Sequence, residues 1–552
     1  MATTQQQQQD KGYSTAQVVE SVRVGQHAWG PYDNGDKEAQ VAVDPDAAPR
    51  NFRFISLIGM AYAILNSWTA MSTSLSLALP SGGPVAVVWG ILPSFVGNLC
   101  MAASMAEICA VYPTSGGQYH WTYLLAPPSI ARSLSWVAGW FSTCGWIALA
   151  ATASSLAGQL ITGAYALAHP DYEPERWHIF VVYTGYALIA LALNLFCLRL
   201  LPGLNQLAIF WSLTGLTVIV ITILSCSSGN FASGKFVFTQ FTNETGWPDG
   251  CAWILGLLQA CFGLTGYDAV SHMVDEMPRP SVYAPRVMMA SVGIGAATGF
   301  VFLVSLLFCI KDVDVVNTSK AGALIEALHQ GTGSVVGGVC LSVFSIVCMA
   351  FTAQALLTAS SRMTMAFARD RGMPFSRLFA KATRGVPVPA ILLNAALVIL
   401  FGCIYLGSDS ALNAILSSSV ISLNVSYSIP VALILIRGRK LLRPKSFAGE
   451  PSFSLGPVWG PICNVVGLAF TLVTTVFFLF PPELPATGSS MNYAVAVFGF
   501  VGIVSVITWV VDGRKNFTGP RDLGGLLELA HAEIGEDSSD QSSVQEVAET
   551  KA

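Results

Sequence analysis

Charged side chains are scarce in this chain. Asp, Glu, Lys and Arg make up 11% of its 552 residues, whereas hydrophobic residues make up 53%. A soluble domain carries roughly 25% charged residues, so this chain has too little polar surface to cover a water-soluble globule of its size. The composition therefore indicates a protein whose main partner is the lipid bilayer.

Several chemical signatures are also missing. The net charge is only −4 and no basic stripe occurs, so we expect no nucleic-acid partner. The 12 cysteines are scattered through apolar runs without a C-x-x-C pair, and the 7 histidines are dispersed, which argues against a metal site. With no nucleotide-binding motif either, we expect no cofactor, no metal and no enzymatic activity.

Long apolar runs are the main feature of the chain. A helix needs about 20 apolar residues to cross roughly 30 Å of hydrocarbon, and such runs predict an all-α integral membrane protein with about 12 transmembrane helices. The predicted spans are 54–79, 84–111, 133–167, 177–198, 204–226, 251–271, 286–310, 335–359, 388–406, 411–436, 457–480 and 492–512.

Lys and Arg are divided unevenly between the two sides of the predicted bundle. With the amino terminus inside, 24 of the 28 Lys and Arg residues fall in inner segments. The outer loops hold only Arg176, Lys235, Lys311 and Lys320. Because cytoplasmic loops carry the excess of these residues, both ends of the chain are predicted to be cytoplasmic.

Both ends of the chain are hydrophilic. Residues 1–52 and 513–552 are rich in Gln, Ser and Glu, a composition typical of disordered tails, and the second of them is acidic. They are predicted to flank a single membrane domain, 53–512. No cleavable signal peptide is expected, because the first apolar run starts about fifty residues into the chain.

Two of the spans contain interruptions. The first reads GMAYAILNSWTAMSTSLSLAL (59–79) and has polar residues crowded at its middle, and the sixth is broken by Gly263 and Gly266. In hydrocarbon, an interrupted helix survives only where it lines a cavity enclosed by protein. Discontinuous helices at corresponding places in two five-helix repeats point to the substrate site of a transporter.

Each polar feature also has a structural alternative. Small polar residues and a G-x-x-G pair are common packing contacts between membrane helices. Asp268, which follows the sixth-span break, is more specific, because a charge at the bilayer centre costs about 2.5–3.5 kcal/mol or more. We take Asp268 as a functional candidate, with the alternative that it accepts backbone N–H bonds where the broken helix resumes.

Four motifs, in order along the chain, resemble one known family. They are SGGPVAVVWG (81–90), MAEICAVYPTSGGQYHWTY (105–123), GYDAVSHMVDEMPRPSVYAPR (266–286) and SSRMTMAFARDRGMPFSRLF (360–379). On these motifs the chain resembles the amino acid–polyamine–organocation superfamily, in particular its fungal amino-acid, GABA and choline permeases. The resemblance covers about residues 52–512.

The resemblance implies two inverted five-helix repeats plus two further helices, with helices 1 and 6 discontinuous, and transport by alternating access. Many relatives have Gly-Ser-Gly or Gly-Thr-Gly at the first break, whereas this chain has Leu65–Asn66–Ser67. Trp68 is expected to form an aromatic wall, and Phe262 to close over substrate. The substrate-binding positions implied are Asn66, Ser67, Trp68, Thr69, Phe262, Gly263, Leu264, Thr265 and Gly266.

Coupling and gating are expected to involve four acids. Asp268 and Glu107 are the titratable candidates within the spans, so protons are the expected coupling ion. Sodium held by carbonyls and hydroxyls of the eighth span is the alternative. Asp275 and Glu276 are expected to make contacts at the inner gate, with a solvated charged rim as the alternative reading.

The expected function is secondary active import of amino acids or related amines such as GABA or choline. The expected location is the plasma membrane, with the vacuolar or another internal membrane as the alternative. A nutrient sensor of the same fold, which transports weakly or not at all, is the alternative function. Sensors tend to carry long structured signalling tails, whereas the tails here are expected to be short and disordered.

Overall fold

The computed structural model describes residues 54–197, 200–277, 279–383, 385–408, 410–442 and 453–520, without the side chains at 54–56, 275 and 276. The predicted tail 1–52 and residues 521–552 of the second tail lie outside these ranges. Within them the chain is almost entirely helical. Strand pairing there is limited to two isolated bridges, Ser81 with Asn243 and Thr383 with Val386.

In the described chain, 11 helices are long and apolar enough to cross a membrane. Each overlaps one of the predicted spans from the second to the twelfth, so the prediction of an all-α membrane protein is confirmed. The helices are Gly83–Val111, Pro128–Ala168, Arg176–Phe196, Leu201–Cys226, Asp249–Val274, Pro280–Cys309, Val335–Arg369, Val388–Gly407, Ala411–Arg437, Gly456–Phe477 and Ala494–Asn516.

The first span completes the set of about 12, although it is not one continuous helix. It consists of the helices Phe54–Leu65, Ser67–Thr73 and Leu75–Ala78. None of the three is long enough to cross a bilayer alone. Together they cover nearly all of the predicted span 54–79. The helix is interrupted at Asn66 and Ser74.

Helices five places apart in the chain pack against each other. The third span packs on the eighth, and the second on the seventh. The outer part of the first span, Ser67–Thr73, packs on Asp249–Gly263 of the sixth, and Phe54–Leu65 packs on the 3-10 helix Tyr267–Glu276. A two-fold relation between two five-helix repeats produces this pairing, and an odd number of spans per repeat gives the repeats opposite orientations.

The third span is the centre of the bundle. In its most apolar stretch 83% of the residues are buried, whereas 17% are buried in the corresponding stretch of the twelfth span. Outer spans instead expose large apolar side chains, including Phe210 (69%), Ile221 (60%) and Val510 (64%). Apolar surface of this extent is stable in lipid but not in water, so these spans form the lipid-facing ring around the third.

The packed chain continues beyond the predicted boundary at residue 512. A short helix, Arg514–Asn516, follows the twelfth span, and Phe517 after it is fully buried. The carbonyl of Phe517 accepts hydrogen bonds from Arg132 Nε (2.8 Å) and Nη2 (2.6 Å). These contacts attach the end of the twelfth span to the start of the third.

The Lys and Arg distribution gives a topology that thiol labelling will test. Ser228→Cys and Ser489→Cys, at exposed positions in two predicted outer loops, should react with an impermeant thiol reagent on intact cells. Lys381→Cys, exposed after the eighth span, should react only after permeabilisation. The background protein should lack the exposed native thiols Cys226, Cys340 and Cys403. The opposite labelling pattern would invert the topology.

Candidate site at the two helix breaks

The first span breaks at Asn66. This residue has φ 34° and ψ 48°, in the left-handed region that few residues other than glycine and asparagine adopt. Its Oδ1 accepts from the hydroxyls of Thr69 (3.3 Å) and Ser212 (3.0 Å), and its Nδ2 donates to Thr352 Oγ1 (3.4 Å). The chain therefore makes this break without glycine, because asparagine tolerates the conformation and neighbouring hydroxyls hold its side chain.

The eighth span stabilises a carbonyl group exposed by this break. In an unbroken helix the Ala63 carbonyl would accept from the amide of Ser67. Here it accepts from Thr352 Oγ1 (2.8 Å). Regular backbone bonding resumes with the Ala70 amide on the Asn66 carbonyl (2.9 Å), so the amides of residues 67–69 form the open first turn of the helix that follows.

The sixth span breaks at Gly266, the second of the two predicted glycines, whereas Gly263 is still helical. The helix Asp249–Gly263 ends with tightened turns, in which the amides of Leu264 and Thr265 bond to residues only three positions back. Gly266 then adopts φ 101°, a conformation that is strained for any residue with a side chain. The chain continues as the 3-10 helix Tyr267–Glu276. Gly266 is therefore required by the backbone at this point.

The two breaks lie against each other. A Cβ added to Gly263 would lie 2.5 Å from Met71 Cγ and 3.4 Å from the Ser67 carbonyl oxygen. A Cβ added to Gly266 would lie 3.3 Å from Ile64 Cγ2. The side chain of Gln259, which the sequence analysis did not select, donates to the carbonyl of Met71 (2.7 Å). The outer halves of the first and sixth spans are thus joined by a buried hydrogen bond.

The large predicted binding residues are buried and face different parts of the bundle. Trp68 is fully buried, donates from Nε1 to Ser212 Oγ (2.7 Å) and packs on Phe302 with ring centroids 4.8 Å apart. Its ring therefore faces the fifth and seventh spans instead of forming an open aromatic wall. Phe262 and Leu264 are buried at the end of the sixth-span helix.

Two buried hydroxyls beside the breaks lack a hydrogen-bond partner within the described residues. They are Ser67 Oγ, at the start of the second helical piece, and Tyr267 OH, directly after Gly266. A buried hydroxyl without a partner is costly. One unsatisfied hydroxyl therefore lies beside each of the two breaks.

Asp268 accepts hydrogen bonds from four different elements and is fully buried. Its Oδ2 accepts from Gln118 Nε2 (2.6 Å), Trp146 Nε1 (3.2 Å) and His272 Nε2 (3.3 Å), and its Oδ1 from the hydroxyl of Tyr427. These donors come from the short helix after the second span, from the third span, from the sixth-span continuation and from the tenth span. The carboxyl group therefore joins both five-helix halves.

His272 is the titratable neighbour that the sequence analysis missed. It is buried four residues after Asp268, within the continuation of the sixth span. The expectation that Asp268 and Glu107 are the titratable candidates within the spans was wrong in leaving out this residue. The i, i+4 spacing was the available signal, and the glycine break obscured it because it made the helix seem to end before His272.

Glu107 lies in a different environment, at the inner end of the second span. Its carboxylate pairs with Arg439 just after the tenth span and accepts from Ser454 Oγ (3.2 Å) and the Leu455 amide (3.1 Å). All these partners lie at the inner ends of the tenth and eleventh spans. Glu107 therefore links the inner ends of the second, tenth and eleventh spans, away from the two breaks.

The inner side of the bundle is closed by polar contacts. His120 Nε2 and the hydroxyl of Tyr119 both lie 2.7 Å from Asp370 Oδ2, and Arg369 Nη2 donates to Ser115 Oγ (3.0 Å). These contacts join the segment after the second span to the end of the eighth. The side chains of Asp275 and Glu276, predicted to act at this gate, lie outside the described part.

The opposite side of the bundle contains a cavity of about 450 Å³. It lies at the end that the Lys and Arg distribution assigns to the outside. Both broken spans contribute to its wall, through Ser76 and Leu77 of the first and Leu255 and Leu258 of the sixth. The described chain is thus closed at the end that this distribution assigns to the inside and open at the opposite end. Among the described residues, no cluster of three or more His, Cys, Asp or Glu could hold a metal ion.

Comparison with known proteins agrees with this architecture. The sequence model of the family described as "Amino acid permease" matches residues 52–502. The chain is 33% identical to the choline transporter of Saccharomyces cerevisiae over 496 residues, covering 88% of this chain and 86% of that protein. It is 36% identical to a putative amino acid/polyamine transporter of Macrophomina phaseolina over 453 residues, 81% of this chain and 99% of the relative.

A plant protein extends the similarity beyond fungi. The chain is 32% identical to an amino-acid permease of Arabidopsis thaliana over 490 residues, covering 85% of this chain and 93% of the relative. The family match and the relatives span the whole broken-helix bundle and not one motif. The chain belongs to the amino acid permease family and is a membrane transporter.

Proposed function

We propose that this transporter imports amino acids or related amines, such as GABA or choline, by proton-coupled alternating access. The observation that carries the proposal is the meeting of the two helix breaks, with a cavity on one side and polar contacts closing the other. A binding site with access to one side at a time is the requirement of alternating access. The joined breaks, including Ser67, Thr69 and residues 262–266, are its proposed substrate site.

The charge of the outer cavity favours a substrate that carries an amine. Glu244 and Glu483 line it, and neither Lys nor Arg is among its described lining residues. Both glutamates are exposed, so they act through the field they create and not through a buried contact. A cleft lined by one sign of charge raises the local concentration of oppositely charged solutes. Organic cations and the ammonium end of zwitterions fit this field.

Protons are the proposed coupling ion because Thr352, the eighth-span hydroxyl at the first break, is already engaged. Thr352 Oγ1 donates to the carbonyls of Ala63 (2.8 Å) and Cys348 (3.0 Å) and accepts from Asn66 Nδ2 (3.4 Å). Sodium needs several oxygen atoms with free lone pairs directed at one point. An amide N–H₂ group at that point disfavours a cation, whereas Asp268 and His272 supply protonatable groups near the other break.

An uptake screen tests this function. In a strain lacking its endogenous permeases, the chain should support uptake of at least one labelled compound among choline, GABA, polyamines and amino acids. Uptake should be faster at external pH 5 than at pH 7, and should not depend on sodium. Surface labelling of the same cells, in the plasma membrane where we place the protein, controls for delivery. Binding of a compound without uptake would instead favour the nutrient sensor.

A further inference from the structure

His272 lies between two hydrogen-bond acceptors. Its Nδ1 is 3.0 Å from the carbonyl oxygen of Ser115, and its Nε2 is 3.3 Å from Asp268 Oδ2. Neither side chain of the His272–Asp268 pair is exposed to solvent. A carbonyl oxygen has no hydrogen to donate, so Nδ1 must carry the hydrogen in its contact with Ser115.

The second contact then fixes the number of protons on the pair. With a hydrogen on Nδ1, the approach of Nε2 to Oδ2 is a hydrogen bond only if one more proton lies between them. Oδ2 already accepts N–H groups from Gln118 (2.6 Å) and Trp146 (3.2 Å), and such bonds are stronger to an ionised acceptor. The arrangement therefore corresponds to an imidazolium beside a carboxylate, one proton more than a neutral ring provides.

Loss of that proton leaves one N–H group for two acceptors. A neutral ring keeps its hydrogen on the side of the charged Asp268, because the bond to an ionised acceptor is the stronger one. The Ser115 carbonyl then loses its donor. Ser115 lies between the second and third spans, so the lost bond is one that joins this loop to the inner half of the sixth span.

The loop and the inner half of the sixth span are in direct contact at this point. A Cβ added to Gly117 would lie 2.9 Å from Ser271 Oγ and 3.0 Å from His272 Cε1. The Ser115–His272 contact is therefore a hydrogen bond within a closely packed interface. Without it, a buried carbonyl has lost its partner, which is unfavourable and favours separation of the two surfaces.

The other titratable and charged groups around the pair come from several elements. Tyr427 contacts Asp268 directly, and Arg369 contacts Ser115 through its hydroxyl. The remaining groups on the packed elements are Tyr62 of the first span, Glu107 of the second, Tyr119, His120 and Tyr123 of the short helix after it, Tyr267 of the same 3-10 helix, Tyr283 and Arg286 of the seventh span and Arg362 of the eighth. Asp275 and Glu276 belong to the same 3-10 helix, and their side chains are outside the described part.

We propose that Asp268 and His272 together hold the coupling proton, and that its release to the cytoplasm detaches the inner half of the sixth span from the loop containing Ser115. The inference rests on the proposed proton coupling and names the second residue of the proton site. The reaction is a single proton transfer from the imidazolium to water. No bond other than N–H and O–H changes.

The test compares His272→Gln with wild type in purified, full-length form in lipid vesicles containing a pH-sensitive dye. The probe is whichever of labelled choline, GABA or a common amino acid the wild type transports. A gradient of one pH unit supports about tenfold accumulation per proton. We expect His272→Gln to lose this accumulation and the substrate-driven dye signal, while labelled-for-unlabelled exchange continues, since exchange needs no net proton movement.

His178→Gln is the control. His178 lies at the start of the fourth span, where its Nδ1 is 2.7 Å from the Tyr172 hydroxyl, and it belongs neither to the Asp268 contacts nor to the inner closure, so its variant should retain substrate-driven proton movement. Wild-type accumulation and dye signal in His272→Gln would overturn the inference. If His272→Gln shows no exchange, accumulation and the dye signal are measured in Asp268→Asn instead. Wild-type values in Asp268→Asn also overturn the inference. Wild-type uptake without any proton movement would refute the proposed coupling itself.

Discussion

Gly266→Leu is expected to abolish transport without preventing delivery of the protein to the membrane. Gly266 has φ 101°, where a residue with a side chain is strained by about 1–2 kcal/mol. An added Cβ would lie 3.1 Å from Leu149 Cδ2 and 3.3 Å from Ile64 Cγ2, and the rest of a leucine side chain would have to displace both. Overpacking of this kind costs about 1–3 kcal/mol, and it acts where the two breaks meet.

The expected loss is about 100-fold or more in uptake rate, because displacement of a site by about 1 Å produces effects of that size. Gly266→Ala should show a smaller defect, since it adds only the Cβ atom. Gly293→Leu is the matched control, because a Cβ at Gly293 in the seventh span meets no atom within 4 Å. If Gly266→Leu transports at the wild-type rate with unchanged KM, the site lies elsewhere.

Asp268→Ala is expected to destabilise the protein so strongly that little folded protein is recovered. The change removes the acceptor of four buried donors, on Gln118, Trp146, His272 and Tyr427. Each buried donor left without a partner costs about 1–3 kcal/mol, and the total is comparable with the entire stability of a typical domain, about 5–15 kcal/mol. The third, sixth and tenth spans would lose their common contact.

Fluorescence-detected size-exclusion chromatography of tagged protein in mild detergent measures this effect. Asp268→Ala should give mainly aggregate, whereas Asp171→Ala, at an exposed loop position, should give the wild-type peak. Asp268→Asn should be intermediate or better, because its amide oxygen still accepts hydrogen bonds. A wild-type peak and wild-type melting temperature for Asp268→Ala would show that the four donors find other partners and that their hydrogen bonds to Asp268 are not needed for stability.

The spans and the two breaks could be predicted because their signals are local. A run of about 20 apolar residues specifies a span by itself, and Gly266 marks a break through its own backbone freedom. The position of the first break at Asn66 followed from the resemblance and from the crowded polar residues. There the chain departs from the glycine-rich pattern, and the hydroxyls of Ser212 and Thr352, 146 and 286 residues away, hold the turn.

The hydrogen-bond partners could not be predicted because they depend on distant segments. Gln118 lies 150 residues from Asp268 in the chain and Tyr427 lies 159 residues away, and no periodicity in one helix encodes such a pair. The orientation of Trp68 is a similar case. Its aromatic character suggested a substrate wall, whereas Ser212 and Phe302, on two other spans, determine which way the ring faces.

The most direct test of the central claim uses purified wild-type protein alone, reconstituted in vesicles with an internal pH dye and a clamped membrane potential. Addition of labelled choline, GABA or amino acids outside, with the outer pH one unit lower, should give accumulation of at least one compound together with acidification of the lumen. Collapse of the pH gradient by an ionophore should abolish accumulation but not exchange. Accumulation that persists without a proton gradient and requires sodium would contradict the account.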